Sequence, residues 1–319
     1  MSYLTISGKK IYYEEYGNGH SPALVYLHGG PGESCLTYTY QAKKLGETFH
    51  VISFDQYGVF RSDAVGDEPL SVNDLVQMTE QIRVALGIDS WIPLGHSFGG
   101  MLALIYAHTY PDSIDAVIYD CPMWSALHTA RAIAEATLPC FERDGVSDQT
   151  ALCKEILDSA LSSREAFKKA MSIDMNEAVQ RYCHVIENSR YNDYVNTHIP
   201  DPMVTEDCWG KFVDFRKKLF DSEDFYVDYL PYLADIAKPQ LLIVGEYDMT
   251  CGRYEQKWFA DNAPDGSTEI LLDCAHQSKS IMNLWRITRN IPLWRARRKP
   301  STRAIFAMNL TSTTRLTRS

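Results

Sequence analysis

The run Gly95-His96-Ser97-Phe98-Gly99 constrains this chain more than any other feature. It follows the apolar stretch Ser90–Leu94 and opens Met101–Tyr110 (MLALIYAHTY), which Pro111 ends. A strand that turns sharply into a buried helix needs small residues two before and two after the turn, so that strand and helix can approach. The residue at the apex then stands above the sheet. A serine there is presented to a reacting group and lies at the positive end of the helix that starts at Phe98. The bare five-residue pattern is weak; between a strand and a buried helix it predicts that Ser97 is a nucleophile.

A serine hydroxyl is a poor nucleophile near neutral pH and needs a base, which needs an orienting acid. In the strand–turn–helix architecture that carries this motif, the acid and then the histidine follow later in the chain. Lys238–Gly245 (KPQLLIVG) reads as a late strand and is followed by Glu246-Tyr247-Asp248. Thr268–Leu272 reads as the last strand and is followed by Cys274-Ala275-His276. Of the nine histidines, His276 alone combines this order with a strand-end position, and it is the predicted base. Asp248 is the predicted acid, with Glu246 and Asp120, which ends an earlier strand, as the alternatives.

Acyl transfer also needs two backbone N–H groups aimed at the developing oxyanion. Phe98, next to the serine, is expected to supply one. The other is assigned to Gly30, in the loop His28-Gly29-Gly30-Pro31-Gly32 after the apolar run Ala23–Leu27. Pro31 has no N–H to give. Gly29, without a side chain, is expected to let backbone approach the substrate.

Between these landmarks the pattern alternates. Residues 2–17 look like two strands joined at Gly8–Lys9–Lys10, and His50–Phe54 is another buried strand. Helical patterns occupy 35–47 and 71–86, the second capped by Ser71 or Asn73 and stopped by Gly87. Ile114–Tyr119 is a further strand. Strands alternating with helices imply a mostly parallel sheet covered on both faces. From about Pro122 to Asp235 only helix-like segments appear, near 125–142, 148–160, 163–171, 175–189 and 206–220. The α/β rhythm then resumes, with a helix around Trp258–Ala260.

The formal net charge is −10, which disfavours nucleic acid as a partner. From Lys279 onward there are ten Lys or Arg and no acid, so residues 1–278 hold the other 21 bases against all 41 acids, a formal −20. The eight cysteines are scattered without a C-x-x-C pair, so free thiols are expected and a zinc site is not. No apolar run approaches the roughly 18 residues of a membrane span, and the N-terminus shows no secretory pattern. A cytoplasmic location and no membrane partner are the resulting expectations.

Taken in order, His28-Gly29-Gly30-Pro31-Gly32, Asp55-Gln56-x-Gly58, Gly95-His96-Ser97-x-Gly99-Gly100, Gly245-x-x-Asp248 and His276 resemble the proline iminopeptidase family of α/β hydrolases. That family includes prolyl aminopeptidases, the tricorn-interacting aminopeptidase and some amino-acid amidases. The resemblance covers roughly residues 3–120 and 236–280. It implies an α/β-hydrolase fold, with a mostly parallel eight-stranded sheet and a helical cap insertion. The implied organisation is a core over 1–121 and 236–290, a cap over 122–235 and a basic, loosely ordered tail over 291–319. It further implies removal of an N-terminal residue, often proline, by Ser-His-Asp acyl transfer without metal or cofactor. The substrates would be a small peptide, an amino-acid amide or a small ester. An esterase, lactonase or carbon–carbon bond hydrolase uses the same triad, and a ligand-binding module on a hydrolase scaffold is the non-enzyme alternative.

This chain departs from the family pattern in several places. The family's D-Q-R-G-x-G-R-S reads Asp55-Gln56-Tyr57-Gly58-Val59-Phe60-Arg61-Ser62, with Tyr57 for the arginine and Phe60 for a glycine. The cap motif E-N-H-Y-F is absent, and Glu187-Asn188 is a partial echo. Met249 stands where the tricorn-interacting type has another acid. Glu223, in Asp221-Ser222-Glu223-Asp224-Phe225, is the candidate carboxylate for the substrate amine, with a solvated surface charge as the other and preferred reading.

Overall fold

A computed structural model of the chain describes residues 2–158, 160–174, 197, 206–272 and 274–278. The sequence pattern of alternation becomes one eight-stranded sheet in the order β1-β2-β4-β3-β5-β6-β7-β8. The strands are β1 (Ser2–Ile6), β2 (Lys9–Tyr16), β3 (Ala23–Leu27), β4 (His50–Phe54), β5 (Trp91–His96), β6 (Val117–Asp120), β7 (Gln240–Gly245) and β8 (Gly266–Leu271). β2 runs antiparallel to β1 and β4; every pairing from β4 to β8 is parallel.

β3 to β7 are buried along their whole length, because helices cover both faces. The pleat sends Val25, Leu27, Ile52 and Phe54 into one core, with α2 (Val72–Ala85) and α3 (Phe98–Thr109). Leu24, Tyr26 and Val51 enter the other, with α1 (Thr39–Leu45). α3 buries every residue from Phe98 to Ala107, which explains its uniformly apolar sequence. α2 starts at a capping box: Ser71 accepts from the Asp74 N–H while Asp74 reaches back to the cap. Gly87 follows at φ +65.

The first hairpin turns at Ser7–Gly8, one residue earlier than the sequence reading. Both residues have positive φ (49° and 82°), as a two-residue turn matched to strand twist requires, and Lys9 already pairs with Ile6. The segment 35–47 divides into a 3₁₀ turn, Cys35–Tyr38, and α1. β5 continues past Leu94 to His96, because Gly95 and His96 pair with Tyr119 and Asp120.

Between β6 and β7 the described elements are helical: α4 (Ala126–Asp144), α5 (Ser147–Leu157), α6 (Ser163–Ala170) and α7 (Glu206–Asp221). α4 to α6 share their own apolar cluster. α8 (Arg253–Asn262) follows β7. The helix read near 175–189, the partial motif Glu187-Asn188 and the tail over 291–319 lie outside the described residues. Among the described residues no helix is long and apolar enough to cross a membrane.

Candidate active site

The strand-to-helix turn closes because β5 and α3 nearly touch. A Cβ on Gly95 would run into the Gly99 carbonyl, and one on Gly99 into the Leu27 carbonyl. Ser97 occupies the apex at φ 55, ψ −121, a backbone conformation that L-residues rarely hold. Its N–H bonds the Asp120 carbonyl at 3.0 Å, and its carbonyl accepts from Met123 at 2.9 Å. The apex is therefore tied to β6 as well as to α3.

Two loops from distant strand ends meet Ser97. His276 Nε2 lies 2.9 Å from Ser97 Oγ, and its Nδ1 lies 3.0 Å from Asp248 Oδ1. Asp248 also accepts from the Thr250 and Cys251 N–H groups at 3.0 and 3.3 Å, which fixes its rotamer. The Asp248 side chain is fully buried, while that of His276 keeps 17% exposure. With a carboxylate at Nδ1, that nitrogen carries the proton and Nε2 is left to accept from the serine. Glu246 is exposed. Asp120 faces His96 Nδ1 at 3.1 Å and accepts from the Ser278 hydroxyl. Of the three acids weighed from sequence, Asp248 is thus the one bonded to His276.

Gly29 lies alongside the nucleophile: a Cβ there would sit 2.8 Å from Ser97 Cβ. Gly30 has φ +115, and neither its N–H nor that of Phe98 donates to a protein acceptor among the described residues. The loop carrying Gly29 and Gly30 is held from below. The Gln56 N–H donates to His28 Nε2 and the Gln56 amide to the His28 carbonyl, both at 2.9 Å. Asp55 accepts from Ser34 Oγ at 2.6 Å, from the Cys35 N–H at 3.0 Å and from Arg61 Nε at 2.6 Å. This explains why the H-G-G-P-G and D-Q runs occur together: one loop is bolted to the other.

Complete burial by itself would push the Asp55 carboxyl up. The Arg61 hydrogen bonds and charge, with Ser34, override that and hold it below its ordinary 3.8. A depressed folded pKa contributes stability that is present above the unfolded value and is lost as the pH falls through the folded one. Arg61→Met strands this buried carboxylate. It is expected to lower unfolding stability at pH 7 by about 3–5 kcal/mol in a urea titration. The deficit should shrink toward about pH 4, where the carboxyl takes up a proton.

Other predicted positions fall elsewhere. The Glu223 side chain is 88% exposed and pairs with Arg164 at 2.7 Å, at the surface rather than on the triad. Tyr57 turns its hydroxyl to the Val65 carbonyl (2.7 Å) and Glu68 (3.1 Å). Phe60 keeps the positive φ, 42°, that a glycine would adopt easily, and its carbonyl accepts from Lys211 of α7 at 3.0 Å. Seven cysteines are buried and form no disulfide among the described residues; Cys183 lies outside them. Cys121, Asp248 and His276 bring ligand atoms within 4.8 Å of one another. Asp248 and His276 are already bonded to one another, and burial pushes the Cys121 thiol well above its ordinary range.

Sequence reasoning did not single out Arg61, Ser278 or the face of α7. Phe212 of α7 lies against Gly32 (2.7 Å from a Cβ built there), and Phe215 against Gly58 (3.1 Å likewise). The arginine of R-S in the resembled pattern was a signal for the first; the other two carry none.

Sheet order, nucleophile turn and strand-end loops together define an α/β hydrolase. The family model for the alpha/beta hydrolase fold matches residues 22–145. By sequence the chain is similar to proline iminopeptidases. It is 37% identical over 110 residues to that of Xylella fastidiosa, spanning 34% of this chain and 35% of the relative. It is 25% identical over 284 residues to a probable proline iminopeptidase of Leptolyngbya boryana, spanning 83% and 84%. The match thus spans about a third of the Xylella relative's length and most of the Leptolyngbya one. Among solved structures, a proline iminopeptidase-related protein from Thermus thermophilus superposes with a TM-score of 0.69 at 22% identity, over 92% of this chain and 98% of that one. The proline iminopeptidase of Mycobacterium smegmatis gives 0.60 at 18%, over 93% and 98%. The chain is proline iminopeptidase-like in sequence and an α/β hydrolase in fold.

Proposed function

We propose that this protein is a serine hydrolase that releases an N-terminal residue from a small peptide or amino-acid amide. The observation that carries the hydrolase reading is the continuous hydrogen-bonded line from Ser97 through His276 to Asp248. Its likeness to proline iminopeptidases, over 83% of the chain in the Leptolyngbya case, supports the narrower aminopeptidase reading.

In this account His276 takes the Ser97 proton as the oxygen attacks the carbonyl carbon. Asp248 holds the imidazole in the productive tautomer and stabilises its positive charge. The Gly30 and Phe98 amides receive the tetrahedral oxyanion, and Gly29 keeps the approach clear. His276 then protonates the leaving nitrogen, and water releases the acyl group. Residues 122–235 act as the cap. Glu223 has no part, since an exposed carboxylate on an arginine is a poor ligand for a substrate ammonium. The reaction runs on side chains and backbone of this chain alone, in the cytoplasm.

Prolyl β-naphthylamide and its N-acetyl derivative, assayed side by side, test the aminopeptidase reading. Turnover of the free amine is expected, with a loss of about a hundredfold or more in kcat/KM on acetylation, because an aminopeptidase takes its substrate through the free ammonium. Equal cleavage of the two would contradict it.

A further inference from the structure

Arg216 lies on α7, one turn after Phe212 and one turn before Phe220. Its guanidinium carbon sits 5.2 Å from the Phe212 ring centre and 5.1 Å from that of Phe220. It is half-buried, and burial pulls its pKa below the ordinary arginine range with no acidic group among the described residues acting against it. Of the other partly buried arginines, Arg61, Arg83 and Arg164 each hold a carboxylate, and Arg131 leaves its Nε without a partner among the described residues. Arg216 holds two aromatic faces instead. Aromatic faces offset only part of the cost of taking a guanidinium out of water. A cation left in this state is ready for an anion that arrives from outside the fold.

Its place in the fold says which anion. Two lines of contact lead from Arg216 to the reacting centre. On one side the Phe220 ring is 5.0 Å from Phe225, and Phe225 is 6.0 Å from Phe98, the neighbour of Ser97. On the other, Phe212 lies on Gly32, two residues beyond Gly30. Arg216 therefore closes a ring of side chains that starts at the nucleophile and returns at the proposed oxyanion loop.

We propose that Arg216 is a specificity-determining residue that recognises a carboxylate carried by the substrate. The preferred substrate class is then an anionic amide or ester, such as a short peptide with a free C-terminus. The planar guanidinium fork matches a carboxylate with two parallel hydrogen bonds, which a lysine cannot reproduce. This inference rests on the serine-hydrolase reading above and adds the charge of the substrate to it.

Two matched pairs test it: prolylglycine against prolylglycinamide, and mono-p-nitrophenyl glutarate against p-nitrophenyl valerate. The first pair places the charge on the leaving group and the second on the acyl group. The wild-type protein is expected to favour the anionic member of at least one pair by about tenfold or more in kcat/KM, through KM rather than kcat. Arg216→Met should bring that ratio to about one, and Arg216→Lys should restore part of it. Absence of any charge preference in the wild type, or its persistence in Arg216→Met, overturns the proposal. Labelling of each protein by a fluorophosphonate separates the two layers. A labelled protein without charge preference refutes the role of Arg216 alone, and a folded wild-type protein that takes no label refutes the hydrolase reading and this inference with it. Should Arg216→Met fail to fold, as judged by circular dichroism, Arg216→Gln replaces it with the same expected ratio.

Discussion

Ser97→Ala is expected to lower kcat by about 10⁵–10⁶-fold while leaving KM within a few-fold of its wild-type value. The reason is positional. Ser97 Oγ is the atom that lies 2.9 Å from His276 Nε2, and its removal takes away the acceptor of the acyl group, not a contact that holds the substrate. The Gly30 and Phe98 amides and the cap would remain, so binding should persist and residual rate should be that of the oxyanion site alone. The fold should also tolerate the change, since alanine only removes an oxygen. Steady-state kinetics with any turned-over amide or ester, alongside a thermal melt, checks both parts. A variant with wild-type turnover would remove Ser97 from the mechanism.

Asp248→Asn is expected to cost about 10⁴-fold in kcat, again with little change in KM. Asparagine is nearly isosteric but keeps one oxygen: the Thr250 N–H and His276 Nδ1 meet Asp248 Oδ1 and the Cys251 N–H meets Oδ2, so an oxygen left at Cys251 puts the amide nitrogen toward His276. What changes is the partner offered to His276. An amide nitrogen turned toward Nδ1 donates instead of accepting, moves the ring proton to Nε2 and blocks acceptance from Ser97. Losing the carboxylate also removes the charge that stabilises the imidazolium. The companion variants Glu246→Gln and Asp120→Asn separate the three acids weighed from sequence. Glu246 is exposed, and its loss should change kcat by less than about threefold. Asp120 bonds His96 and Ser278, so its effect should appear mainly in stability.

How much of this was legible beforehand depended on where each signal sits. β3 and β4 were read residue for residue, because a strand buried on both faces writes itself as an unbroken apolar run between glycines and polar loops. β5 and β6 were read with shifted ends. The end of β5 depends on its pairing with β6, and His96 and Asp120 look polar until they are seen bonding one another. The line Ser97–His276–Asp248 could be anticipated because its members obey a chain order and each follows a strand. Its closure across 179 residues between Ser97 and His276 is visible only in space. Ser278 and Arg216 gave no warning, since nothing local distinguishes a serine that bonds an aspartate 158 residues away or an arginine that no acid among the described residues pairs with. Glu223 carried two readings, a ligand for the substrate amine and a solvated surface charge, and its exposed position on Arg164 fits the second.

The most direct measurement is a peptide map of the purified protein after reaction with a fluorophosphonate. The account predicts one stoichiometric adduct on the peptide containing Ser97, formed rapidly in the wild-type protein and scarcely at all in His276→Ala, which retains the hydroxyl but lacks the base. A folded protein that carries the adduct on another residue, or labels equally fast without His276, would contradict it.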